Sequence, residues 1–228
     1  MYIWKCWRDT RSFFLAFLII AAAAIPVTAM VCKKTGLVQV FGRDAVVSTF
    51  GLLMTVIALG LGSIGAIHEF ADKAVHFLFT KPRSRAYFVW AGWAVGCAEI
   101  MAIAIVNLAA GAATLALLRG DRSWSALAGS LRGFDADNIV IYGLFYYALT
   151  YSLTAVLRNG LKGLGASMAT MTGYLYGANA LHKLWNINVP IPTIRIGNLP
   201  MAVSYGFWAV VALSFVFGAQ IVVERAEI

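Results

Sequence analysis

Six apolar runs, at 12–32, 46–67, 86–118, 139–157, 163–181 and 200–223, decide what this chain can fold into. Each approaches or exceeds the roughly 20 residues that a helix needs to cross a bilayer. In hydrocarbon the backbone must satisfy its own polar groups, so such runs form helices. The composition agrees: the chain is 61% hydrophobic and 12% charged, whereas a soluble domain averages about 45–50% apolar and about 25% charged. The expected fold is therefore all-α, a polytopic membrane protein forming a single transmembrane domain over 1–228 with six spans. No interval between the runs is long enough for a soluble domain. The third run is too long for a simple crossing, so it tilts, extends beyond the membrane, or breaks near Asn107 or Gly111.

The N-terminus loosely imitates a secretory signal, with Lys5, Arg8 and Arg11 ahead of an apolar run and Val-Thr-Ala after it. The run from Ser12 to Cys32 has 21 residues, longer than an h-region of about 7–15, and is expected to stay as a span. Upstream of it, Ile3, Cys6 and Trp7 share one helical face, with Lys5, Arg8 and Asp9 on another. Two tryptophans in such a segment point to a helix lying among the headgroups.

The net charge of +8 does not imply nucleic acid, because the basic residues are spread over loops that flank apolar runs. They fit anionic headgroups and membrane orientation instead. One set of loops carries ten Lys and Arg, the other eight, and the first set is shorter. This places both termini and the 68–85 segment in the cytoplasm.

That segment, HEFADKAVHFLFTKPRSR, is the densest charged stretch of the chain. Phe70, Ala74, Phe77 and Leu78 fall on one helical face, with Glu69, Asp72, Lys73 and His76 largely opposite. Glu69 precedes Lys73 by four residues, the favourable order for a helical ion pair. Pro82 stops the helix, and Arg83 and Arg85 follow where the chain re-enters the membrane. A helix simply resting on lipid is the plain alternative, but its two acids would be repelled by anionic headgroups. A docking element for a partner outside the membrane fits better. On the other side, Trp124, Leu127, Ala128 and Leu131 recur at the spacing of a second surface helix. The stretch 184–200, broken by Pro190, Pro192, Gly197 and Pro200, reads as an irregular cap or partly re-entrant loop.

Gly92–Gly96 and Gly173–Gly177 are both G-x-x-x-G, and Gly60, Gly62 and Gly65 cluster late in the second span. Such spacing permits close helix approach, within the chain or across a subunit interface.

Glu99 is the one carboxylate well inside a predicted span. A charge there is costly and faces a bundle interior, a cavity or a partner. It serves either as a proton relay or polar-substrate contact, or as a protonated or hydrogen-bonded structural group. Asn107, eight residues on, lies on about the same face. Both are candidate translocation-path residues. Cys6, Cys32 and Cys97 follow no metal or redox spacing and act as small hydrophobes. Asn179 and His182 at the outer end of the fifth span, and His76, have no partner at metal-ligand spacing, so interfacial hydrogen bonding is their default reading and no metal site is expected. Phe145, Tyr146, Tyr147 and Tyr151 line an apolar route or simply pack helices. The chain has no G-x-x-x-x-G-K-[ST], H-E-x-x-H or G-x-S-x-G motif, so it is not expected to be an enzyme.

Taken together, four features resemble the permease subunits of the type-2 ABC transporter family, the exporter-like permeases. They are the basic amphipathic start WKCWRDTRSFF, six spans, the acid Glu69 followed by Thr80-Lys81-Pro82-Arg83-Ser84-Arg85, and a broken external segment between spans five and six. The resemblance implies an elbow helix carrying Trp4, Lys5, Trp7, Arg8 and Arg11, and a cytoplasmic coupling helix between spans two and three. It implies an ATPase-docking surface made of Glu69, Phe70, Asp72, Lys73, His76, Phe77, Leu78, Phe79 and Lys81. It also implies a separate cytoplasmic P-loop ATPase that binds ATP and Mg, a second permease that is a copy or a paralogue, and a bacterial inner (plasma) membrane location. No cofactor is expected on this chain itself. Two other functions stay open: an ion-coupled carrier using Glu99, and a membrane anchor that recruits a partner but transports nothing.

Overall fold

The computed structural model describes residues 2–34, 38–70, 85–119, 136–186 and 201–225, with side chains left out near several helix ends. These residues form six helices: α1 (Tyr2–Lys34), α2 (Val38–Phe70), α3 (Arg85–Arg119), α4 (Ala136–Leu157), α5 (Gly160–Trp185) and α6 (Met201–Arg225). No strand occurs among the described residues. Among the described residues, five helices are long and apolar enough to cross a membrane: Ile3–Thr28, Thr49–Ile67, Ala86–Thr114, Val140–Leu157 and Val203–Arg225. Their outward surfaces carry large bare apolar side chains, including Ile19 at 68% exposure, Leu52 at 70%, Ile105 at 62% and Val210 at 61%. An apolar surface of that extent on helices of spanning length fits a lipid surround. The chain is an integral, polytopic helical membrane protein.

Three sequence expectations change here, and a fourth, left open between tilting, extending and breaking, narrows. The first span was expected at 12–32 behind a separate elbow helix, yet α1 is one unbroken helix of 33 residues. No glycine or proline interrupts it before Pro26, and Asp9 ties the first turns together through Lys5 at 3.7 Å and Arg8 at 3.6 Å. The predicted faces also shift: Cys6 is buried and Trp7 half-buried, while Ile3 points outward at 58% exposure. The long third run does not break at Asn107 or Gly111; α3 is continuous over 35 residues, about 52 Å at 1.5 Å per residue. The fifth run forms α5 but is not among the five span-grade helices, because serine, threonine, tyrosine, asparagine and glycine dilute its apolar residues.

The core lies along the seam of α2 and α4, the most extensive helix pair, with α3 and α1 closing one side and α6 and α5 the other. Phe50, Met54, Ile57 and Leu61 are all fully buried on α2 and recur at i, i+4, i+7 and i+11, one continuous stripe. Tyr147 and Tyr151, both at 0% exposure, are the largest fully buried side chains. With lipid outside, no hydrophobic force drives the helices together, so close packing and hydrogen bonds must hold the bundle.

Glycine provides the closeness. A β-carbon at Gly62 would stand 2.9 Å from Thr150 Cβ and 3.0 Å from the backbone O of Tyr147 and N of Tyr151. Helix α2 therefore lies against the backbone of α4. The Gly92–Gly96 pair seats the ring ends of Tyr151 and Tyr147 rather than another helix backbone. Both pairings are internal. Gly173 and Gly177, by contrast, face open space on α5, which leaves a subunit interface as an open use for that pair. Gly62→Ala is expected to cost about 1–3 kcal/mol by forcing two backbones apart. Gly51→Ala, whose β-carbon meets nothing within 4 Å, is expected to be neutral or stabilising by up to about 1 kcal/mol. Thermal melting of the two purified variants in detergent checks the contrast; equal losses would contradict the packing.

The α4–α5 corner is short. Arg158 takes a left-handed φ of 51°, and Asn159 caps α5 by accepting the Lys162 N–H at 3.1 Å. Ser63 of α2 donates to the Gly160 carbonyl at 3.0 Å, fixing the corner to α2. At its other end α5 stops at Asn186, left-handed at φ 54°, whose N–H bonds the His182 carbonyl at 3.0 Å. The predicted surface helix around Trp124 and the irregular stretch after Asn186 lie outside the described residues.

Candidate functional site

Two places in the bundle carry chemistry, an intramembrane carboxylate and the root of the 68–85 segment. Glu99 sits on the inward stripe of α3 at 3% exposure, where α1 packs across it. The Thr10 hydroxyl lies against Glu99 Oε1 and near the carbonyls of Cys6 at 3.1 Å and Trp7 at 3.4 Å. Its single proton is shared among these acceptors. Glu99 Oε2 is enclosed, with no hydrogen-bond partner among the described residues. Beside it, a small cavity of about 10 Å³ with mixed polar and apolar walls is bounded by Cys6, Asp9, Thr10, Leu61, Glu99 and Tyr147 among others. That is close to the room one water needs, and such a water would give Oε2 its missing donor. The arrangement can bind a proton or a water; it has no second carboxylate in hydrogen-bond contact and no metal-ligand cluster among the described residues.

Asn107 is fully buried but does not join this site. It lies eight residues beyond Glu99, about 12 Å along α3, and its Nδ2 meets Met54 Sδ at 3.7 Å. The buried Ile100, Ile103 and Ala104 stand between them. The polar seam expected from sequence is thus two separate buried groups. Asn107 Oδ1 has no partner either among the described residues.

At the other place, α2 runs through Glu69 to Phe70 and α3 begins at Arg85. The backbone of Glu69 is helical, while its side chain and all of Asp72, Lys73, His76, Phe77, Leu78, Phe79 and Lys81 lie outside the described residues. Phe70 was expected on a docking surface, but it is buried at 3% exposure. Its ring meets Tyr151 edge-on, centroids 6.4 Å apart at 83°. The Tyr151 hydroxyl donates to the Val89 carbonyl of α3 at 2.9 Å. One tyrosine on α4 thereby touches the last residue of α2 and the second turn of α3, fastening both roots of the segment. Phe70 belongs to this anchorage rather than to an exposed docking face.

Of the proposed elbow residues, Trp4 is 63% exposed, Arg8 and Arg11 are exposed, and Lys5 and Trp7 are half-buried, all on α1. Trp90 Nε1 donates to Gln220 Oε1 at 2.7 Å, linking α3 to α6. Two participants escaped the sequence reading. Thr10 carried a signal, since it follows Cys6 by four residues on the inward face. Tyr151 stood among candidate route-lining aromatics, yet nothing in sequence marks its partners.

Comparison of the chain with protein-family models, with curated proteins and with solved structures gives no match. The functional reading therefore stands on geometry and residue chemistry.

Thr10→Val is expected to leave both Glu99 oxygens buried without a partner and to cost about 1–3 kcal/mol. Glu99→Gln keeps an acceptor for Thr10 and is expected to cost less, leaving assembly intact. Melting and size-exclusion profiles of the two variants check the order; loss of assembly in Glu99→Gln makes Glu99 structural.

Proposed function

We propose that the chain is the permease subunit of an ATP-driven ABC transporter of the exporter-like type-2 class, coupled through residues 68–85 to a separate cytoplasmic ATPase. The observation that carries this reading is the Tyr151 clasp. A segment of 14 undescribed residues, 71–84, leaves and returns through two helices fastened to the same tyrosine. A push on such a segment reaches α2, α3 and α4 together, which is the requirement for converting closure of an ATPase into helix motion. The α4–α5 corner, bonded to Ser63 on α2, is a second point through which the same displacement would pass. Phe77, Leu78 and Phe79 are the apolar anchors, with Glu69, Asp72, Lys73 and Lys81 at a polar rim, as docking interfaces are commonly arranged.

In this reading α5 is the sixth span, the first turns of α1 act as the elbow in the headgroup layer, and both termini are cytoplasmic at the bacterial inner membrane. ATP and Mg bind to the ATPase partner, and a second permease, a copy or a paralogue, completes the pathway. Photo-crosslinkers placed at Phe77 and Leu78 in native membranes test it. A soluble P-loop ATPase as the adduct supports the reading, and adducts to lipid alone contradict it.

A second reading is favoured by the enclosed, unpartnered Glu99 Oε2: an ion-coupled carrier with Glu99 as its proton site. Transport that needs Glu99 and a proton gradient but no ATP would establish it.

A further inference from the structure

Between α1 and α3 runs an open apolar groove of about 500 Å³, lined by Trp4, Trp7, Phe14, Val95, Ala98 and Ala102 among others. Its neighbours on both helices face outward and are apolar: Phe13 at 45% exposure, Leu15 at 50%, Met101 at 40% and Ile105 at 62%. The groove is therefore continuous with the lipid-facing surface. Trp4 and Trp7 edge it, and tryptophan favours the headgroup level of a bilayer. Arg11 follows at i+4 from Trp7 and i+7 from Trp4, on the same face of α1. Asp9 is engaged by Lys5 at 3.7 Å and Arg8 at 3.6 Å, while Arg11 is exposed and makes no ion pair among the described residues. Glu99 borders the groove without opposing an anion, since Thr10 engages its Oε1 and its Oε2 is enclosed.

We propose that this groove is a binding site for an anionic phospholipid, with its phosphate on Arg11, Arg8 beside it, and an acyl chain running inward past Phe14 and Ala102. A guanidinium grips a phosphate through two parallel N–H bonds, which a choline headgroup's net neutrality weakens and an anionic headgroup does not. Lys5 and Arg8 in the first turns add to the attraction. The inference does not depend on the transporter reading: a carrier or an anchor with the same α1 and α3 would bind the same lipid.

The test is native mass spectrometry of the full-length chain released from mild detergent after titration with phosphatidylglycerol or phosphatidylcholine of identical chains. The expected result is a resolved bound phosphatidylglycerol, preferred over phosphatidylcholine. Arg11→Gln should lower its retention about fivefold, Arg11→Lys should restore part of it, and Ala98→Trp, which fills the groove, should remove it. Leu213→Trp, on exposed α6, should change nothing. Equal retention of the two lipids, or retention insensitive to both Arg11→Gln and Ala98→Trp, would overturn the proposal and reduce the bound lipid to an unselective annulus. A photo-crosslinker at Ala98 that captures a protein in native membranes would also overturn it. Arg11→Gln alters an exposed side chain, so its outcome decides the matter even if Ala98→Trp fails to fold.

Discussion

Tyr151→Ala is expected to lower the stability of the bundle by about 3–5 kcal/mol, the range for removing a large buried ring. The loss has three physical parts. The ring fills the space over Gly92, its edge contact holds Phe70, and its hydroxyl bonds the Val89 carbonyl. Tyr151→Phe keeps the first two and removes the third, so about 0.5–1.5 kcal/mol is expected there. Melting in detergent separates the two variants. The clasp also makes a functional prediction. Tyr151→Ala should leave an ATPase able to dock on 71–84 yet break the link between hydrolysis and transport, whereas Tyr151→Phe should keep it. If Tyr151→Ala is as stable and as well coupled as the parent, the clasp is not how the segment is joined to the bundle.

Phe77→Asp should abolish co-purification of the ATPase while the chain still inserts in the membrane. A buried aromatic anchor commonly contributes 2 kcal/mol or more to an interface, roughly 30-fold in affinity, and a carboxylate in its place adds a desolvation cost. Glu99→Gln, by contrast, should leave docking untouched, because it lies about 21 Å along α3 from Arg85. Co-purification unchanged by Phe77→Asp would remove the docking assignment.

The helices were legible in the sequence because a bilayer permits so little else: an apolar run of about 20 residues has one structure available to it. What sequence did not reveal follows from the same cause. Where an amphipathic start meets a span with no glycine or proline between them, as at Thr10 to Ser12, periodicity alone cannot say whether the helix breaks, and α1 continues unbroken. Apolar lettering also hides which face of a span turns inward. Phe70 read as surface because charged residues flank it in sequence, and it is buried because the Tyr151 ring is there to meet it. G-x-x-x-G spacing said that something approaches closely, but a glycine can receive a backbone, as Gly62 does, or a tyrosine, as Gly92 does. Glu99 was legible as costly and therefore partnered. That its partner is Thr10, 89 residues earlier, is tertiary information. Asn107 shares its face but not its surroundings, since the apolar residues between them close the seam.

The most direct test of the central claim is affinity purification of the tagged chain from its native membrane in mild detergent, followed by mass spectrometry and an ATPase assay. The account predicts a co-purifying P-loop ATPase with measurable hydrolysis, both lost together in Phe77→Asp. A chain that purifies without any ATPase, under conditions that keep other membrane complexes whole, would contradict it and leave Glu99 and a proton gradient as the reading to pursue.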